Sequence, residues 1–186
     1  VNAFLLLAAV TLTAWWAGAG SDFRLQLRGH GRAGRLIGIA VFLLLILGVS
    51  GAITALGDTL FPKGELREGI AANFEATAHF LVRLRIYHPV IAALTGLYLW
   101  LAAPVIALER PGIGPLFFSN AIRVLIVIQL VAGVVNILLN VPIWMQLVHL
   151  LLADLLWIAV VLLGASALSQ PVAAAQLAVL SPQVGD

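Results

Sequence analysis

Residues 82–96 read VRLRIYHPVIAALTG and residues 145–157 read MQLVHLLLADLLW, so each stretch sets one histidine inside a long apolar run. The 186-residue chain around them is 62% hydrophobic and 10% charged, whereas a soluble domain carries about 25% charged residues. Windows of about 20 uncharged residues match the length that a helix needs to cross a bilayer. Because lipid cannot satisfy the open edge of a sheet, the sequence predicts an all-α, polytopic membrane protein.

Five transmembrane helices are predicted, over residues 1–18, 36–56, 82–108, 120–139 and 143–168. The first is interpreted as a helix of an upstream half, because an apolar run opens the chain with no basic stretch before it and no cleavage site after it. Residues 36–168 are predicted to form a four-helix bundle. Residues 19–35 are predicted to be an arginine-rich cytoplasmic loop, and residues 169–186 a polar C-terminal tail.

The charges of the loops predict the orientation in the membrane. Residues 21–35 hold four arginines against one aspartate, whereas residues 57–80 hold four acidic residues against one lysine and one arginine. The positive-inside rule therefore places the arginine loop and the C-terminus in the cytoplasm, and the N-terminus of the chain outside. The segment ERPGIGPLFFSN, residues 109–120, is predicted to be a cytoplasmic loop, and NVPI, residues 140–143, a tight turn outside.

Composition also excludes several classes of function. The chain has no cysteine, which removes disulfides, thiolate metal sites and a cysteine nucleophile. Its net charge is only +2, and its arginines stand in short loops. We therefore interpret them as topology determinants next to membrane lipid, and we expect no nucleic-acid partner.

The two intramembrane histidines predict a cofactor site. His88 and His149 each lie about six residues inside spans that run in the same direction, or about 9 Å below the same membrane face. Two imidazoles at matched depth in a helix bundle can hold one metal. Zinc needs three or four ligands, whereas a heme needs two axial ligands because the porphyrin supplies the rest. Ala92, Gly96 and Ala153 follow at helical spacing and leave room for a flat ring.

Residues close to His88 are expected to support that site. Arg83 and Arg85 lie on its outer side, where they either bind the propionates of a heme or anchor the helix at the interface. Pro89 lacks an amide donor, so we expect it to kink the helix, free the carbonyl of Arg85 and aim the imidazole.

Other interpretations of the polar residues remain open. Either intramembrane histidine alone is also typical of a hydrogen bond that bridges helices, and His30 and His79 are expected to be solvated in loops. Asp154 is an acid deep in a span and needs a role or a partner, for which Arg123 and Gln129 are equal candidates. Three amides either form an interior polar stripe or bridge helices: Gln129, Asn136 and Asn140.

Three segments resemble the C-terminal half of the heme A synthase family: GAITALGDTLFP (51–62), VRLRIYHPVIAALTGLYL (82–99) and QLVAGVVNILLNVPIWMQLVHLLLADLLW (129–157). The resemblance implies an eight-span enzyme of two similar four-helix halves. In such an enzyme the N-terminal half holds the substrate heme O, with a glutamate near its ligand, and the C-terminal half holds heme b between two histidines. The reaction oxidises a porphyrin methyl group to a formyl group and gives heme A for cytochrome c oxidase.

The resemblance covers nearly the whole chain and assigns most of its roles. Residues 1–16 are similar to the fourth span of the family. His88 and His149 are implied to be the axial ligands of the heme b iron, with propionate contacts shifted to Arg83 and Arg85. Arg85 stands where the family's N-terminal half has a glutamate, so no catalytic residue is expected in this chain.

We therefore expect the cofactor half of an oxidoreductase in a bacterial plasma membrane, inactive on its own. The implied partners are heme O in the missing half, heme O synthase and assembly factors of cytochrome c oxidase. The alternative is a non-enzymatic, cytochrome b type electron-transfer subunit of a respiratory complex with the same two ligands. A structural or transport subunit without a cofactor is the third interpretation.

Overall fold

The computed structural model describes residues 2–19, 23–25, 31–60, 79, 81 and 85–171. Its helices are α1 (Asn2–Ala19), α2 (Gly31–Leu60), α3 (Tyr87–Glu109), α4 (Ile113–Leu138) and α5 (Ile143–Leu168). Strands β1 (Phe23–Leu25) and β2 (Ser169–Pro171) form a short antiparallel ribbon. Helices α2 to α5 are long and apolar enough to cross a membrane, and α1 is a shorter apolar helix. The predicted all-α, polytopic fold is confirmed.

Helices α2 to α5 pack as a four-helix bundle. Each contacts its neighbour along the chain, and α5 closes the bundle against α2. Helices α3 and α5 therefore face each other diagonally and contact each other only slightly. We name the end where α2 and α4 begin the arginine end, and the end where α3 and α5 begin the histidine end.

The packed core extends from the middle of the bundle to its arginine end. Ile106 on α3 and Ile122 on α4 are fully buried at its centre. Leu44 on α2 and Leu156 and Leu163 on α5 complete it. These large side chains interdigitate, and packing of this kind holds helices together in lipid, where burial from water provides little drive.

Helix α1 lies against the outside of the bundle, mainly along α5. The Phe4 ring stacks on Trp157 with centroids 5.1 Å apart, and the Trp157 indole donates a hydrogen bond to the Phe4 carbonyl at 2.8 Å. Gly48 on α2 permits this approach, because a Cβ at that position would collide with the Phe4 ring. A single aromatic side chain thus connects α1 to two helices of the bundle.

The observed bounds correct the loop predictions. Helix α5 has the predicted bounds, but α2 begins at Gly31 rather than at residue 36. The loop predicted over residues 109–120 is wrong, because α4 already begins at Ile113. Pro115 lies in the first turn of α4, where a helix needs no amide donor. Gly114 lets that turn approach α5, since a Cβ there would lie 3.2 Å from the Ser166 Cβ.

The turn predicted at residues 140–143 is present between α4 and α5. Asn140 and Val141 both have positive φ, at 63° and 59°, and such values are strained for a β-branched residue. The Val141 amide donates to the Asn136 carbonyl at 2.8 Å, and its carbonyl accepts a hydrogen bond from Gln146 Nε2 at 2.9 Å. These two hydrogen bonds hold the strained turn beside the first turn of α5.

Two parts of the predicted organisation are only partly visible. The predicted C-terminal tail contributes Ser169–Pro171 to the ribbon as β2, while residues 172–186 lie outside the described residues. Most of the acidic loop at residues 57–80 also lies outside them.

Candidate functional site

His88 lies at the very start of α3 rather than about six residues inside the helix. It is the second residue of α3, which begins at Tyr87. The predicted kink at Pro89 is wrong, because this proline occupies the first helical turn, where its missing amide breaks no hydrogen bond. Arg85 and Ile86 form a turn directly before α3, so the start of the helix aims the imidazole.

Two neighbouring residues of α2 contact the His88 ring. The Ser50 Oγ lies 2.9 Å from His88 Nδ1, and the same hydroxyl donates to the Leu47 carbonyl at 2.8 Å. A Cβ on Gly51 would lie 3.1 Å from His88 Cε1, so the absence of a side chain there leaves space for the ring. The imidazole therefore forms one hydrogen bond with α2 and lies beside a position on that helix that has no side chain.

His149 lies further inside α5 and contacts α4. Gln129 Nε2 lies 3.2 Å from His149 Nε2 and also donates to the His149 carbonyl at 3.2 Å. A Cβ on Gly133 would lie 3.3 Å from His149 Cε1. His149 Nδ1 is buried and has no hydrogen-bond partner among the described residues, so this ring has one nitrogen engaged and one unsatisfied.

The two histidines repeat one arrangement on two helix pairs. Each Cε1 atom lies against a glycine of the preceding helix, Gly51 for His88 and Gly133 for His149. The two histidines lie on diagonal helices that begin at the same end of the bundle. His88 is the second residue of its helix and His149 the seventh, so the predicted position about six residues inside the helix holds for His149 and not for His88. Shared ligation of one metal by the two residues stays a prediction.

The donor set of this end is restricted to the two imidazoles. Within the described part of the chain, no group of three or more His, Cys, Asp or Glu side chains is arranged to hold a metal ion. A bare zinc ion needs more protein ligands than this. Two axial nitrogens are the donor set that a metalloporphyrin needs, so the residues present fit a heme.

Arg85 contacts two residues at the end of α2. Its Nε lies 2.9 Å from Asp58 Oδ1 in a buried ion pair, and its Nη2 donates to the Gly57 carbonyl. These contacts tie the end of α2 to the turn that begins α3, three residues before His88. The predicted propionate contact of Arg85 stays a prediction, and Arg83 lies outside the described residues.

The polar residues deeper in the bundle do not pair as their spacing suggested. The Arg123 guanidinium lies over the Trp100 ring, 4.4 Å from its centroid, and Gln129 contacts His149. Asp154 lies one turn before Trp157, and no ion pair or hydrogen bond joins it to either residue within the described part of the chain.

The remaining polar predictions have mixed outcomes. His79 is exposed and accepts a hydrogen bond from the Leu81 amide at 3.3 Å, in agreement with the solvated interpretation. His30 lies outside the described residues. Gln129 bridges α4 and α5, while the polar stripe proposed for Asn136 and Asn140 stays a prediction.

Sequence reasoning missed Ser50 and Gly51, which contact His88. The sequence signal for them is a serine followed by a glycine in the middle of the apolar run LGVSGAIT, residues 47–54. Helix α2 is apolar on all sides, so its sequence does not indicate which face turns towards α3.

The fold and the site define a polytopic helical membrane protein with paired histidines at one end of its bundle. Residues 1–161 match the COX15-CtaA family, described as cytochrome oxidase assembly protein. The chain belongs to this family, the heme A synthase family that its sequence resembles.

Curated relatives are longer than this chain. Two proteins from two strains of Thermus thermophilus, each named protoheme IX farnesyltransferase, are 44% identical over 169 residues. The match covers 91% of this chain but only 28% of each relative. No solved structure matches the chain.

Proposed function

We propose that this chain is the cofactor half of a membrane heme A synthase and that it holds one heme b between His88 and His149. The observation that carries the proposal is the pair of imidazoles near the starts of two diagonal helices, at one end of the bundle. Membership of the heme A synthase family supplies the chemical context.

The heme would supply one-electron redox chemistry. His88 would provide one nitrogen, and its Nε2 has no hydrogen-bond partner in the described part of the chain. His149 would provide the other, and its Nε2 lies 3.2 Å from Gln129 Nε2. Gly51 and Gly133 leave each ring space beside the neighbouring helix. A heme held by these two residues would be suited to electron transfer or to holding the bundle together.

The oxidation of heme O would then take place in another part of a longer protein, and this chain alone would be inactive. The relatives' name describes the attachment of a farnesyl group to protoheme IX, which is the type of reaction that supplies a prenylated heme. Heme O synthase is therefore a natural partner, together with assembly factors of cytochrome c oxidase. The arginine-rich segment favours a bacterial plasma membrane with the histidine end facing outward.

The second candidate is a cytochrome b type subunit that only transfers electrons. Carriers that move electrons across a membrane need cofactors near both faces, whereas both imidazoles here lie at one end. Family membership also favours the synthase. A longer protein that contains this chain should convert heme O to heme A, and a pure electron carrier should not.

An optical experiment tests heme binding. The chain is produced in bacterial membranes, purified in detergent, and examined by reduced spectrum and pyridine hemochrome assay. We expect one heme b per chain with a narrow α-band, and loss of that band in His88→Ala and in His149→Ala. His79→Ala is the matched control, because His79 is exposed and outside the site. A wild-type chain without heme b, or an unchanged spectrum in His88→Ala, would overturn the proposal.

A further inference from the structure

We infer that Ser50 is a positioning residue that fixes the tautomer and the orientation of His88 for metal ligation. The inference rests on the proposed function, because it concerns how one axial ligand is prepared. It assigns a role to a hydroxyl in the middle of an apolar span, where a polar group is costly unless it has a structural or functional use.

The tautomer follows from the single proton of the Ser50 hydroxyl. A serine hydroxyl has one proton to donate and lone pairs that accept. That proton is directed to the Leu47 carbonyl at 2.8 Å. With that proton on Leu47, the Ser50 Oγ accepts at the 2.9 Å contact with His88, and we assign the proton of this hydrogen bond to His88 Nδ1. The Nε2 atom of the neutral ring then has a free lone pair.

The orientation follows from the contacts on the ring. The hydrogen bond holds Nδ1 on α2. The absence of a Cβ at Gly51 leaves space for the ring beside that helix, because a Cβ there would lie 3.1 Å from Cε1. The ring is thus held at Nδ1, and Nε2 is the nitrogen left for a ligand.

His149 differs from His88 in the hydrogen bonds of its ring nitrogens. Its Nδ1 is buried without a hydrogen-bond partner among the described residues, and its Nε2 is the atom that Gln129 contacts. Nothing equivalent to Ser50 accepts a proton from its Nδ1. The pair is therefore asymmetric, with His88 ready to ligate before any metal binds.

An acceptor on the far nitrogen also changes the ligand itself. Hydrogen bonding from the non-ligating N–H makes an imidazole more basic, and loss of such a partner typically weakens metal binding about 10–100-fold. A more basic imidazole favours ferric over ferrous iron. Removal of the Ser50 hydroxyl should therefore weaken ferric heme binding more than ferrous heme binding and raise the midpoint potential.

The variants are Ser50→Ala, Ser50→Thr and, as matched control, Thr54→Ala. Thr54 lies one turn further along α2, and its hydroxyl donates to the Ser50 carbonyl at 3.0 Å without contacting a histidine. Ser50→Ala should bind ferric heme about tenfold more weakly. If that loss is confined to the ferric form, it equals a rise of about 59 mV in the midpoint potential. Ser50→Thr and Thr54→Ala should match the wild type.

A second measurement uses the heme-free chain. Nitrogen NMR of ¹⁵N-histidine should show His88 as the Nδ1–H tautomer in the wild type and in Ser50→Thr, and a mixture of tautomers in Ser50→Ala. The inference is overturned if Ser50→Ala keeps the wild-type potential and tautomer, or if Thr54→Ala shifts both equally. A wild-type chain that binds no heme would refute the proposed function, whereas the NMR result would still decide the role of Ser50.

Discussion

The two ends of the bundle differ in what fills the space between the helices. The arginine end is filled by large apolar side chains such as Ile106, Ile122 and Leu163, all almost completely buried. At the histidine end the same helices present Gly51, Gly133 and two half-buried imidazoles. The packed core thus lies at one end of the four helices, and the two histidines lie at the other.

Polar contacts join helices at the histidine end. In lipid, helix association depends on close packing and on polar contacts. The buried ion pair of Arg85 and Asp58 connects α2 to the turn before α3, and Gln129 connects α4 to α5. A ligand that binds only the folded bundle would add further stability by mass action.

The largest expected effect comes from breaking the ion pair at the histidine end. Asp58→Ala would leave Arg85 buried without its carboxylate, which should lower the free energy of unfolding by about 3 kcal/mol. Unfolding in mixed micelles of mild and denaturing detergent measures it.

The control for that variant replaces both charges. The double variant Asp58→Leu with Arg85→Met should recover most of the loss, because apolar residues of similar size avoid the uncompensated charge. Equal stability of Asp58→Ala and the wild type would show that the ion pair does not hold α2 to α3.

A cavity at the arginine end should come next in size. Ile122 is fully buried, so Ile122→Ala should reduce the unfolding free energy by about 2–3 kcal/mol and leave the heme content of the folded fraction unchanged. Leu151→Ala is the control, because Leu151 is 59% exposed towards lipid and should change stability little. Loss of heme from folded Ile122→Ala would mean that the two ends do not act separately.

A pair of glycines allows the two ends to be compared with the same substitution. An added Cβ would lie 3.3 Å from His149 Cε1 at Gly133 and 3.3 Å from Ile37 Cγ2 at Gly164. Alanine favours a helix by up to about 1 kcal/mol over glycine. Gly133→Ala should therefore keep or slightly raise stability while shifting the imidazole and lowering heme occupancy.

The arginine-end member of the pair should behave in the opposite way. Gly164→Ala should lower stability, because Ile37 is part of the packed core and cannot easily move. Its heme occupancy should stay at the wild-type level. Heme occupancy and the free energy of unfolding are measured for Gly133→Ala and Gly164→Ala. If the two variants change both quantities in the same way, the two ends of the bundle do not differ as expected.

The parts of this structure that follow from composition were predictable, and the parts that depend on helix rotation were not. Length and hydropathy determined α5 to the residue, because the turn at residues 140–143 marks its start clearly. They failed at residues 109–120, since Gly114 and Pro115 are typical of loops yet are tolerated in the first turn of a helix.

The two histidines could be singled out from the sequence, whereas the residues that contact them could not. His88 and His149 stand out because imidazoles are rare in lipid-spanning segments. Ser50 and Gly51 contact His88 only because α2 is rotated towards α3, and Arg85 pairs with Asp58 across a loop whose path the sequence does not indicate. Contacts between helices that are apolar on all sides carry little periodic signal.

The smallest expected change in stability comes from Gln129, which also gives the sharpest test of the histidine end. Its amide contacts the His149 nitrogen that a heme iron would need, so Gln129→Leu should speed heme association with the heme-free chain while changing the unfolding free energy by about 1 kcal/mol or less. Gln146→Leu is the control, because Gln146 donates to the Val141 carbonyl and not to a histidine. Stopped-flow absorbance after mixing with heme measures the rate. A slower reaction in Gln129→Leu would show that the amide holds His149 in place for its ligand, so that both imidazoles, and not His88 alone, are prepared in advance.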